Sequence, residues 1–160
     1  MTKSNQNKIY LYDSTLRDGA QTSTVNFGIK DKIEIAKLLD GLEIDYIEAG
    51  WPGANKTDDG FFKNLPDLQN SRFSSFGMTR KPGNTASEDP GLQALIKSPS
   101  KAICIVGKSW DFHLKNALNI TEEENFSMIE DSVKEIVKSG KEAIFDAEHF
   151  FDGFKANKEY

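Results

Sequence analysis

Five short β-rich runs punctuate this chain, at 9–16, 45–50, 72–79, 102–107 and 143–147, and segments of helical period fill the gaps between them. Alternation of this kind, at a spacing of roughly 30 to 40 residues, is the pattern of βαβ units in a parallel sheet. Residues 30–42 carry apolar side chains at Ile33, Ala36 and Leu39, with Ile35, Leu38 and Leu42 widening the stripe, which predicts a core-facing amphipathic helix. Thr121 and Glu124 have capping-box spacing, Phe126, Ile129, Val133, Ile136 and Val137 supply an apolar face, and Gly140 is placed to end that helix. Shorter helices are expected at 92–97 and at 61–68, the latter interrupted or ended at Pro66, and KPGNTASEDP (81–90) reads as a turn-rich connection.

Two α/β architectures accommodate five such units. One is a complete flavodoxin-like open sheet; the other is the first five units of a (β/α)8 TIM barrel, which normally takes about 250 residues. An open sheet needs a closing helix after its fifth strand, whereas this sequence reaches KANKEY about where that helix would begin. The chain therefore reads as a truncated barrel over 9–160, preceded by a disordered polar tail at 1–8, with the later strands and a carboxy-terminal regulatory domain outside it. Apolar strand edges and helix faces left open in such a piece predict marginal stability or association.

A formal charge of −5 argues against a general nucleic-acid or anionic-membrane surface, which needs a cationic field. The first eight residues, MTKSNQNK, lack the apolar core of a signal peptide, and no stretch of 18 apolar residues occurs, so a cytoplasmic protein is expected. The single cysteine, Cys104, sits in the apolar run AICIV and reads as structural, with nothing cationic nearby to make a thiolate.

In a parallel α/β protein chemistry collects at the carboxyl ends of the strands. Alternation along the first run would put Ile9, Leu11, Asp13, Thr15 and Arg17 on one face, with Asp18 just beyond, beside Gly19. An arginine fork and a carboxylate there suit an oxyanion and a divalent metal respectively. Alone, Arg-Asp-Gly is a surface turn. Its company raises it: Gln21, Glu48, His113 and Glu148 all fall at the same end. Glu48 is either a partner that orients Arg17 or an ion pair inside a barrel. His113 caps a helix, is solvated, or touches substrate. Parity allows only one of Glu148 and His149 to face the site, and Glu148 is the choice. Trp51 and the phenylalanines Phe145, Phe150, Phe151 and Phe154 read as packing.

The motifs LYDSTLRDGAQ, DYIEAGWPGANKTDDGFF, SSFGMTRKPG, IVGKSWDFHLKNAL and FDAEHFFDGFK together resemble the start of the citramalate synthase branch of the DRE-TIM metallolyase (HMG-CoA lyase-like) superfamily, related to 2-isopropylmalate and homocitrate synthases. The resemblance implies a barrel enzyme that joins acetyl-CoA to a 2-oxo acid, expected to be pyruvate, giving (R)-citramalate for isoleucine synthesis. It also implies a homodimer with small-molecule substrates and a divalent ion (Mg²⁺, Mn²⁺ or Zn²⁺). By the same resemblance Asp18 ligates that metal, Arg17 steadies the keto oxygen, Glu148 assists, and Gln21 lies in the substrate pocket with Glu48 and His113. Ala20 stands where superfamily members commonly have glutamate, which favours the citramalate branch. The His-x-His pair that supplies the remaining metal ligands is absent, since His113 and His149 are the only histidines. The 160-residue chain is therefore expected to be inactive by itself.

Overall fold

A computed structural model describes residues 8–160. The expected tail lies outside them except for Lys8, whose ammonium pairs with Asp45 at 2.7 Å. Five parallel strands lie side by side in chain order, β1 (Tyr12–Asp13), β2 (Tyr46–Gly50), β3 (Arg72–Met78), β4 (Ala102–Lys108) and β5 (Glu142–Glu148). A flavodoxin-like sheet would place its second strand outside the first, so that alternative falls. The sheet is also curled. Tyr46 on β2 donates its hydroxyl to Glu142 on β5 at 2.7 Å, although three strand spacings, about 14 Å in a flat sheet, separate them. The strands thus form an arc of barrel wall.

Register fixes which side chains line the hollow. Tyr12 pairs with Tyr46, Glu48 with Ser74, Phe76 with Cys104, Cys104 with Ile144, Val106 with Asp146 and Lys108 with Glu148, so the even-numbered residues share the concave face. The odd-numbered Ile47, Phe73, Ile103 and Ile105 face outward into the helix-covered core. Strands β2 to β4 are almost wholly buried, and of these β4, AICIVGK, reads as a nearly continuous apolar run, as a parallel strand covered on both faces does.

The first strand departs most from expectation. It is two residues long, and Ile9, Tyr10 and Leu11 are exposed, because β1 is an edge strand whose pairing begins only at Tyr12.

Among the described residues six α-helices follow from local signals, with several shifts of face. In α1 (Ile29–Gly41), Leu38 is exposed, as is Leu42 just beyond its end, while Lys32, Ala36 and Asp40 are buried. The polar pair is buried because each has partners: Lys32 meets Asp58, and the Asp40 carboxylate accepts from the backbone N–H groups of Gln69, Asn70 and Ser71. Helix α2 (Lys56–Phe62) begins at Asn55, whose side chain accepts from Asp58 N at 2.8 Å. It ends before Pro66, so the expected helix at 61–68 is displaced towards the amino terminus. Helix α3 (Pro90–Lys97) is capped by Asp89, and α4 is the single turn Asp111–His113.

Helix α5 (Glu122–Lys138) opens on Thr121, whose hydroxyl accepts from Glu124 N, and Gly140 follows its end at φ +83°. The box is only half formed, because the Glu124 carboxylate goes to Arg80 at 3.0 Å. Its buried face is Asn125, Met128, Ser132 and Ile136, leaving Phe126 and Val137 exposed. The face rotates because Asn125 donates to Lys108 O and the Ser132 hydroxyl accepts from Arg80 N, tying the helix to the ends of β3 and β4. Around α6 (Phe150–Ala156), Phe145, Phe150, Phe151 and Phe154 are 40 to 73% exposed, so they are not core residues; of the expected core or helix packing, Phe150 packs against Phe151 and Phe154 on the helix itself.

Gly50 closes β2 at φ +150°, and a Cβ there would sit 2.6 Å from the carboxyl carbon of Asp58. Gly50→Ala is expected to destabilise the fold by about 2 kcal/mol or more, from the clash and the strained backbone together. A urea midpoint unchanged from the parent would refute that close approach.

Candidate active site

Arg17 reaches the concave face by a turn rather than by strand parity. Ser14 O accepts from the N–H groups of Arg17, Asp18 and Gly19 at 3.1, 2.9 and 3.1 Å, and the Asp13 carboxylate holds Thr15 through its N–H and hydroxyl. Asp13 therefore braces the turn and does not line the site. Leu16 inside this turn is fully buried in the outer core and anchors it there.

From that turn the Arg17 guanidinium spreads over the Phe76 ring, with its central carbon 3.6 Å from the ring centre. Nε donates to Glu48 Oε2 at 2.6 Å and Nη1 to Asp18 Oδ1 at 3.1 Å, while Nη2 has no protein acceptor among the described residues. Glu48 is 1% exposed, and its other oxygen, Oε1, accepts from the Tyr12 hydroxyl at 2.8 Å. Burial raises the Glu48 carboxyl above its ordinary value, opposed by the hydrogen bonds from Arg17 and Tyr12 and reinforced by the nearby Asp146 charge. Tyr12, Ser14, Arg17, Glu48, Cys104 and Asp146 line one cavity on the hollow side. An ion pair between Glu48 and Arg17 on the hollow side is common to both readings of Glu48, the partner that orients Arg17 and the ion pair inside a barrel.

The other candidates occupy separate stations. Asp18 has a side chain 62% exposed beside the arginine. Gln21 lies in the 3₁₀ turn Gly19–Gln21 and lines a neighbouring polar cleft with Arg17, Lys32, Trp51 and Asp58. Glu148 ends β5 on the concave side and forms an ion pair with Lys108. His149 takes the left-handed conformation, φ 55°, and turns away to meet Asp152 at 3.2 Å. His113 makes no cap hydrogen bond; its ring packs against Trp110 and, at 4.8 Å, against His149, with its Nδ1 buried and without a partner. The two histidines thus meet each other, away from the contacts of the Arg17–Glu48 pair.

Sequence reasoning missed Tyr12, Phe76, Lys108 and Asp146. The last two were open to it: with Glu148 facing inward, parity puts Asp146 on the same face, and the register of neighbouring strands adds Lys108. Cys104 is buried as expected, its thiol pushed up to about 12 by burial. Trp51 packs edge-on against Phe76 at 5.6 Å and also borders an apolar cleft with Met78, Val106, Leu118 and Met128.

A metal needs more donors than this face offers. Among the described residues no group of three or more His, Cys, Asp and Glu side chains converges on a point that would hold an ion. Asp18 is one hard oxygen donor with an arginine beside it, which does not by itself fit a divalent cation.

What the arrangement offers is a fixed cationic fork at the carboxyl end of a parallel sheet, flanked by carboxylates and an apolar cleft. That combination suits a small anionic substrate whose carbonyl oxygen gains charge. A sequence profile of the HMGL-like family matches residues 8–156. The (R)-citramalate synthase of Aquifex aeolicus is 48% identical over 155 residues, covering 96% of this chain and 29% of that protein. The 2-isopropylmalate synthase of Bacillus velezensis is 34% identical over 137 residues, 84% of this chain and 25% of that protein. Among solved structures, hydroxymethylglutaryl-CoA lyase from Pseudomonas aeruginosa superposes with a TM-score of 0.67 at 14% identity, covering 86% of this chain and 45% of that one. The fold is accordingly part of a (β/α)8 barrel, and this chain spans under a third of the length of the citramalate synthase it matches. By its sequence the chain belongs to the HMGL-like family.

Proposed function

We propose that the chain is part of an (R)-citramalate synthase, which condenses acetyl-CoA with pyruvate and, with water, releases (R)-citramalate and CoA. The 48% identity to an (R)-citramalate synthase across 155 residues, against 34% to a 2-isopropylmalate synthase, carries this reading.

The site suits the chemistry. A thioester methyl group is a weak carbon acid, so its enolate needs a positioned base, and the keto carbonyl must be polarised to accept the new C–C bond. Arg17 supplies that polarisation through its fixed fork, donating to the keto oxygen as it becomes an alkoxide. Glu48 keeps the fork in place. Glu148 assists from the end of β5, and Gln21 contacts substrate from the adjoining cleft. His113 is the remaining candidate for substrate contact, although its ring packs against Trp110 and His149. Asp18 is the one ligand this chain would offer to a divalent ion completed from elsewhere in a longer protein, and no step is assigned to that ion. A cytoplasmic homodimer is the assembly that goes with this reading.

The test is 2-oxo-acid-dependent CoA release from acetyl-CoA, with Mg²⁺ or Mn²⁺ present, by the protein encoded in the whole reading frame that contains these residues. Pyruvate is expected to exceed 2-oxoisovalerate and 2-oxoglutarate by at least about tenfold in kcat/KM, within the discrimination a small apolar pocket supplies. The 160-residue chain alone is expected to release none. A preference for 2-oxoisovalerate would make the protein a 2-isopropylmalate synthase; no release with any acid, from a folded protein, would overturn the enzyme reading.

A further inference from the structure

We infer that Tyr12 is a positioning residue for the reaction proposed above: its hydroxyl fixes Glu48, and Glu48 in turn aims the Arg17 guanidinium. The inference deepens that reading and rests on it. Arg17 sits on a turn, and a loop residue needs an anchor from rigid elements if its donors are to hold one direction. Glu48 is that anchor, and it has two oxygens. Oε2 takes Arg17 Nε at 2.6 Å, and Oε1 takes the Tyr12 hydroxyl at 2.8 Å. With a donor at each oxygen the buried carboxylate has one orientation; with Oε1 free it can rotate, and the guanidinium follows it off the Phe76 face.

Tyr12 is itself held. Its ring lies 6.1 Å from that of Tyr46 at an interplanar angle of 28°, and the Tyr46 hydroxyl is bound to Glu142, which also meets Arg72 at 3.2 Å. This chain of contacts links β1, β2, β3 and β5 beneath Glu48, so the phenol is placed by the barrel wall. The Tyr12 oxygen also lies 3.3 Å from Ser74 Oγ on β3. A phenol donates one proton, and the shorter contact, to the carboxylate, claims it.

The titratable and charged groups facing Glu48 are Arg17 and Tyr12, which lower its carboxyl, Asp146 on β5, which raises it, and the neighbouring Cys104 thiol on β4. Removing the Tyr12 donor leaves burial less opposed, so Glu48 becomes a weaker acid and the charged pair forms only at higher pH.

Tyr12→Phe, made in the protein of the whole reading frame, is expected to lower kcat for CoA release by about 10- to 100-fold, the range for one lost hydrogen bond to a buried charged group. KM for acetyl-CoA should stay within about twofold, and the acid limb of the kcat profile should move to higher pH. An unchanged kcat and acid limb in a folded variant would overturn the inference, as would a loss of activity matched wholly by lost stability. If Tyr12→Phe does not fold, 3-fluorotyrosine at position 12 keeps the ring and strengthens the donor; the acid limb must then move to lower pH, and a limb that stays put refutes the role. Should the unmutated protein release no CoA, the functional reading falls, and the positioning is read instead from crystal structures of parent and variant. An Arg17 guanidinium unmoved on Phe76 in Tyr12→Phe would then overturn it.

Discussion

Arg17→Ala is expected to slow CoA release from acetyl-CoA and pyruvate by about 10³-fold, the upper range for removing one preorganised donor to a developing oxyanion. The fork has two of its edges tied, Nε to Glu48 and Nη1 to Asp18, and its plane laid on Phe76, so the direction of Nη2 is set before substrate arrives. Alanine removes that donor and also strands Glu48, 1% exposed, without its cation and near Asp146. The Glu48 carboxyl, already raised by burial, then rises further and protonates more readily, which limits the loss of stability. Arg17→Lys should restore less than a tenth of the activity, because an ammonium is a point charge and cannot serve Glu48, Asp18 and a keto oxygen from one plane. Steady-state rates with circular dichroism as a check on folding would decide the matter. A folded Arg17→Ala protein with a rate within threefold of the parent would remove Arg17 from the mechanism.

The strands and the arginine were legible in the sequence for different reasons. Strands β2 to β5 stand within two residues of their expected bounds, and a buried strand such as β4, AICIVGK, announces itself as an apolar run. The run at 9–16 contains Ile9, Tyr10 and Leu11, equally apolar, yet all three are exposed, and hydropathy alone cannot distinguish an edge segment from a paired one. Arg17 and Glu48 were both nominated, but the assumed alternation put Asp13 and Thr15 on the site face. A turn around Ser14 O breaks that alternation, and only the pairing of Tyr12 with Tyr46 reveals that Tyr12 is the residue facing Glu48. Helical faces went astray where polar residues are buried: Lys32, Asp40, Asn125 and Ser132 have partners on other elements, invisible to a rule that buries only apolar side chains.

Asp58→Ala should cost the fold about 3–5 kcal/mol, the effect of leaving a buried cation without its partner. Lys32 is 2% exposed, and its ammonium meets Asp58 Oδ1 at 2.5 Å and Ala49 O at 3.2 Å. The second Asp58 oxygen accepts from Trp51 N at 2.9 Å and Asn55 Nδ2 at 3.0 Å, so one carboxylate ties α1, the end of β2 and the start of α2. At roughly 2–4 °C per kcal/mol for a domain of this size, the melting temperature should fall by about 6–20 °C. Lys32→Met combined with Asp58→Leu removes the stranded charge and should recover part of the loss, though not all, since Trp51 N and Asn55 remain without their acceptor. Activity should fail ahead of global unfolding: Trp51 packs edge-on against Phe76, the ring that supports the Arg17 guanidinium, so a loosened Trp51 turn reaches the fork through one intervening side chain. Urea titrations of the single and double variants, with rates measured below the transition, separate the two effects. A single variant within 0.5 kcal/mol of the parent, a margin typical of exposed sites, would mean that the pair is solvated and that α1 is held to β2 by its apolar contacts alone.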